Sequence, residues 1–205
     1  MKKLIILIPL IILVIVSGCA TVYLSPDGQS LSDSHGIIAI LPPDVILTST
    51  KGMSADGIKQ QQEDESRVFQ QEIYSYMLMR KSKGQMVIDI QDVGETNAIL
   101  NKNKVKISDM STGDLCVLLE VDAVLASQFS LSKPFSEILA VILYFLTNLL
   151  PATNEVNVSM SLKDCSQKSL IWKYDHKYSG NIISSPNSLI KGLMSDASRK
   201  MPYFK

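Results

Sequence analysis

Five apolar residues in a row, Ile37-Ile38-Ala39-Ile40-Leu41, stopped by Pro42 and Pro43, restrict the architecture of this 205-residue chain more than any other stretch. No polar residue occupies an alternate position, so a strand here has no face for water. It belongs inside a parallel or mixed sheet covered on both sides. The covering helices are legible in the same way. Between Asp56 and Lys81 the residues Phe69, Ile73, Tyr76 and Met77 recur at helical spacing, which predicts a long amphipathic helix after the first core strand. Thr96 to Asn103 predicts a short helix with Ile99 and Leu100 inward. Ser111-Thr112-Gly113-Asp114 has the capping-box pattern ahead of Leu115, Leu118 and Leu119. After Ser185-Pro186, the residues Leu189, Ile190, Leu193, Met194 and Ala197 predict a last helix.

Further strands are expected at Gln85 to Ile90 and at Asp122 to Phe129. Asn154 to Lys163 alternates strictly, with Val156, Val158, Met160 and Leu162 on one face and Asn157, Ser159, Ser161 and Lys163 on the other. That is the pattern of a half-buried antiparallel strand. Leu170, Trp172, Tyr174, His176 and Tyr178 form one face of the next run, and Asp164 to Gln167 supplies the turn of a hairpin. The fold class is therefore α/β (α+β): a single domain with a mixed sheet of about five strands, a C-terminal β-hairpin and flanking helices.

The first residues add a location. Lys2 and Lys3 precede the apolar run from Leu4 to Val16, and Ser17-Gly18-Cys19 closes it, the layout of a secretory signal peptide. The run covers roughly 20 Å as a helix, short of a ~30 Å hydrocarbon core. Its ending resembles the lipobox of bacterial lipoproteins, which implies a diacylglycerol thioether on Cys19, cleavage before it, and a second acylation of the new amino group. One acyl chain binds membrane marginally and two hold stably. The chain then divides into a lipoprotein signal peptide (1–18), a lipidated tether rich in Ser and Asp (19–35) and an α/β domain (36–205).

Charge excludes some partners. The 20 Lys+Arg and 20 Asp+Glu balance, and loss of Lys2 and Lys3 brings the net charge to about −2, so nothing invites nucleic acid. No glycine-rich phosphate loop, His-Glu-x-x-His or Cys-x-x-Cys spacing occurs, and neither metal, cofactor nor small-molecule substrate is implied. His35 beside Asp33 reads as solvated, and His176 as a hydrogen-bonded structural residue. Cys116 and Cys165 could bridge in an oxidising compartment, but one reads as helical and the other as a turn, so separate thiols are expected. A Cys-His nucleophile from either cysteine with His176 lacks an orienting group and is the least favoured reading. Trp172 reads as a packing anchor.

Residues 37–43, the long helix, the second strand, Val121-Asp122-Ala123-Val124-Leu125, the hairpin edge Ser161-Leu162-Lys163-Asp164 and Leu170-Ile171-Trp172-Lys173 together resemble a family of bacterial lipoproteins. That family is similar in fold to the amino-terminal domain of TolB, and related in architecture to the curli-secretion channel lipoprotein and to lipoprotein activators of penicillin-binding proteins. Where such families often carry glycine before the Val-Asp pair, this chain has Glu120. The resemblance implies a non-enzymatic envelope protein that works by contact, with a protein partner or as a homo-oligomer. The alternative it implies is a subunit of an outer-membrane secretion channel. Ala20, in place of an acidic residue after the lipidated cysteine, resembles the outer-membrane sorting choice and implies a periplasm-facing outer-membrane lipoprotein.

One segment is apolar on every side. Between Pro134 and Pro151 lie Ile138, Val141, Ile142, Phe145 and Leu149, and a helix there, about 24 Å long, must be covered all round. Burial against the sheet and contact with lipid or a partner subunit both satisfy this. Contact is the expectation, because other helices are available for the sheet.

Overall fold

The computed structural model describes residues 20–48, 52–132, 155–179 and 185–205. Its elements, in order, are β1 (Thr21–Leu24), α1 (Gly28–Asp33), β2 (Ile37–Ile40), β3 (Asp44–Leu47), α2 (Ala55–Ser82), β4 (Asp89–Ile90), α3 (Val93–Lys102), α4 (Thr112–Leu119), β5 (Ala123–Leu131), β6 (Glu155–Asp164), β7 (Leu170–Ser179) and α5 (Pro186–Ala197). The seven strands form one mixed sheet in the order β1-β7-β6-β5-β2-β4, with β3 also on β5. β2 runs parallel to both β4 and β5, whereas β5-β6-β7-β1 is antiparallel throughout.

As its sequence demands, β2 has parallel neighbours on both edges and is covered on both faces. Ile38 and Ile40 join the larger core with Leu125, Phe129, Met160, Leu162, Trp172 and Tyr174, under Phe69, Ile73 and Met77 of α2 and Leu189, Leu193 and Met194 of α5. Ala39 and Leu41 point the other way, into a smaller core with Val124, Leu100 of α3, and Leu115 and Leu119 of α4. Phe69 stacks on Phe129 with centroids 4.3 Å apart, joining the long helix to the centre of the sheet. Over the rest of the second face, water meets Gln128, Asn157 and Lys177.

The two prolines interrupt the strand without ending it. Ile40 is opposite Leu125, yet Asp44 is opposite Gln128, so one extra residue bulges out and β3 resumes pairing on the same strand. α2 satisfies the carbonyls left at this break: Gln70 Nε2 donates to the Ile40 carbonyl at 2.8 Å, and Ser66 Oγ to that of Pro43 at 2.6 Å.

Several expectations are corrected. The sheet exceeds five strands because β1 and β3 are short and hidden, β1 by polar neighbours and β3 by the prolines before it. Residues 20–35 are not a free tether: β1 pairs with β7 from Thr21↔Asp175 to Leu24↔Trp172, and α1 packs behind it. The strand expected over residues 85–90 shrinks to Asp89–Ile90, since Met86 bridges to Phe204 in the C-terminal tail. Leu170 is exposed and Ile171 buried, because the hairpin slips one residue between Leu162 and Lys163 and shifts the alternation. Glu120 takes the left-handed conformation (φ 55°, ψ 47°) that glycine adopts more readily, so α4 ends where a glycine would have ended it. Cys19 and the apolar residues Ile138, Val141, Ile142, Phe145 and Leu149 lie outside the described residues.

Trp172 is fully buried between β1, β6 and the helix layer. Trp172→Ala should lower unfolding free energy by about 3–5 kcal/mol in denaturant melts, and a loss below about 1 kcal/mol would contradict its place in the core.

Candidate functional site

Asp164 closes β6 on the same parity as Met160 and Leu162, which aims a carboxylate into the protein. It is 1% exposed. Burial opposes its charge, but the Gln167 backbone N–H, the His35 ring and the Ser166 hydroxyl all donate to it, and together they hold its pKa below the usual carboxylate range. His35 Nε2 lies 2.8 Å from Asp164 Oδ1, and His35 Nδ1 lies 2.6 Å from Tyr203 Oη. With Nε2–H donating to the carboxylate, Nδ1 is the ring atom facing the Tyr203 hydroxyl. Burial, helped by the charges of Asp164 and Asp122, pushes the Tyr203 phenol well above its ordinary pKa, against a lowering contact from Ser32. The phenol therefore stays protonated and able to donate. One imidazole thus joins three distant parts of the chain: the end of the α1 segment, the hairpin turn and the C-terminal tail.

His35 was expected in solvent and is instead 4% exposed in its side chain. The correction follows from β1 and α1, which fold the preceding residues onto the sheet and bring His35 over the end of β6. A signal for this did exist. An acid on the inner parity of β6 requires a buried donor, and the chain has only two histidines.

Beside this tie lies a cleft of about 490 Å³ whose lining includes Ser34, Asp114, Val117, Glu120, Asp122 and Lys168. Asp122 Oδ2 accepts from the backbone N–H groups of Gly36 and Ile37, at 2.7 and 2.9 Å, and so positions the entry to β2. Cys116 and Cys165 form part of the wall and are joined by a disulfide, with Cα atoms 5.7 Å apart. Separate thiols were expected from their unlike local conformations, but bridging depends on position. β6 pairs with β5 along its whole length, and the Cys165 N–H donates to the Asp122 carbonyl at 2.9 Å. That sets Cys165 against the last turns of α4, where Cys116 sits.

The same facts correct the Cys-His reading. Both sulfurs are committed to each other, and His176 is far along β7, opposite Val158, stacked on Tyr174 and against Tyr178. Burial lowers the His176 pKa, with Asp196 pulling the other way. His176 Nδ1 is buried without a hydrogen bond among the described residues, where a bonded ring was expected. Both ring nitrogens of His35 are engaged, so the cleft offers neither a free imidazole nor a thiolate. Among the described residues no group of three His, Cys, Asp or Glu is placed to hold a metal, and no helix is long and apolar enough to cross a membrane.

No protein-family model and no curated protein matches the sequence. Among solved structures, the chain is similar to lipoprotein GNA1162 from Neisseria meningitidis, at 12% identity over 81% of this chain and 97% of that one, with a TM-score of 0.49. It is also similar to PelC from Paraburkholderia phytofirmans, solved as a dodecamer, at 10% identity over 92% and 98% with a TM-score of 0.43. A third is the C-terminal domain of LpoB from Salmonella enterica, at 8% identity over 70% and 82% with a TM-score of 0.35. Lipoproteins are thus among the structures this chain is similar to, as the sequence resemblance implied.

The tie and the disulfide each give a test. The disulfide spans 49 residues, so Cys165→Ser should cost about 4 kcal/mol in equilibrium unfolding, and an unchanged midpoint would contradict a formed bond. For Asp164 the folded pKa is depressed, so its contribution is complete above the unfolded carboxylate range near pH 4 and is lost as pH falls through the folded value. Asp164→Asn should therefore destabilise by about 1–3 kcal/mol at neutral pH, with the deficit narrowing in melts near pH 3; a deficit that widens in acid would contradict the tie.

Proposed function

We propose that the chain is a lipoprotein of the bacterial envelope, lipidated on Cys19, held at the outer membrane facing the periplasm, and acting without catalysis by contact with a protein partner or with its own copies. The observation that carries this is the Cys116–Cys165 disulfide. Such a bond persists in an oxidising compartment, and the sequence independently begins with the layout of a signal peptide, ending in a lipobox-like Val16-Ser17-Gly18-Cys19. The engaged state of His35, Asp164 and both cysteines favours contact over chemistry at the cleft. The apolar residues Ile138, Val141, Ile142, Phe145 and Leu149 are read as a membrane or partner contact.

The alternative of a secretion-channel subunit requires a hairpin with one face toward lipid. In the β6–β7 hairpin the apolar residues Val158, Met160, Leu162, Trp172 and Tyr174 are already buried in the main core, which favours the contact reading.

Cells labelled with a fatty-acid analogue test the anchor. The wild-type chain should carry label, and Cys19→Ser should carry none, because only the sulfur can form the thioether. Undiminished label on the variant would overturn the reading.

A further inference from the structure

We infer that one end of the sheet, the end bearing Thr48, Ser132, Glu155 and Lys177, rests against the lipid surface, while the cleft beside His35 is turned away from it. This rests on the lipidation of Cys19 proposed above. Its basis is the direction of β1. Thr21 is opposite Asp175 and Leu24 opposite Trp172, so tracing the chain back from Thr21 leads toward the end of β7 at Tyr178. Ala20 packs on the main core, so the chain stays on the domain until one residue after the lipidated position. Two residues reach at most about 7 Å, and Cys19 is therefore confined near the point where β1 begins.

The same end of the sheet is marked by the other strands. Leu131, the last residue of β5, is opposite Val156, which is opposite Tyr178, and the Ser132 N–H donates to the Glu155 carbonyl at 3.1 Å. Thr48, leaving β3, donates its N–H to Leu131. The anchor point and the exit of β5 thus share one end, although β7 and β6 lie between β1 and β5 in the sheet. The hairpin turn beyond Asp164, with the disulfide and the cleft, is at the other end of β6. Nine steps of about 3.4 Å put it roughly 30 Å away. A free tether of residues 19–35 would have let the domain take any orientation; a two-residue link does not.

The full-length lipidated chain, reconstituted in phosphatidylethanolamine/phosphatidylglycerol vesicles, tests this with a photo-crosslinking amino acid placed at Lys177 or at Gln167. Both positions are exposed. Crosslinking to lipid should be at least about fivefold stronger from position 177, because roughly 30 Å carries the turn beyond the headgroup layer. Equal crosslinking, or more from position 167, would overturn the orientation. Mass analysis of the mature amino terminus separates the two claims: lipid on Cys19 with the wrong crosslinking pattern sinks the orientation alone, whereas an amino terminus without lipid sinks both.

Discussion

The pairing of β5 on both of its edges is the constraint on which the rest of the molecule depends. On one side it holds β2 and β3 in parallel, and on the other it holds β6 antiparallel from Ala123↔Asp164 to Leu131↔Val156. Parallel pairing requires crossover connections, which α2, α3 and α4 provide, and antiparallel pairing permits the hairpin that carries Trp172 and Tyr174. Because β5 fixes the register of β6, it also fixes where Asp164 and Cys165 emerge. The tie to His35 and the bridge to Cys116 are consequences of that register.

Those two links fasten parts of the chain that secondary structure leaves separate. The disulfide secures α4 to the hairpin turn, and His35 secures the segment after α1 to the turn and to the tail at Tyr203. Each covers the end of the sheet where the polar cleft opens. In the wall of that cleft the two cysteines are bonded to each other and both ring nitrogens of His35 are engaged.

Much of the fold was legible because it is periodic. The apolar run of β2, the helical spacing in α2, the cap at Ser111 and the strict alternation of β6 are all local patterns, and all appear in the structure. What escaped was decided by distant residues. β1 has four residues and a polar neighbourhood, and becomes a strand only because β7 offers it an edge. His35 looked solvated because nothing near it in sequence buries it; Asp164 and Tyr203 do so from 129 and 168 residues away. The disulfide likewise depended on strand register, which two local conformations cannot reveal.

The central claim is that residues 20–25 are part of the folded domain, leaving no free spacer ahead of the sheet. Native-state amide hydrogen exchange on the full-length chain tests it most directly. The Ser25 N–H donates to the Ile171 carbonyl at 2.9 Å, and Tyr23 and Leu24 are paired with Lys173 and Trp172. These strand-bound positions should include amides protected together with those of β7, opening only with the edge of the sheet. Exchange of every amide from Thr21 to Ser25 at the rate of an unstructured chain, beside a protected β7, would contradict the account and restore a tether.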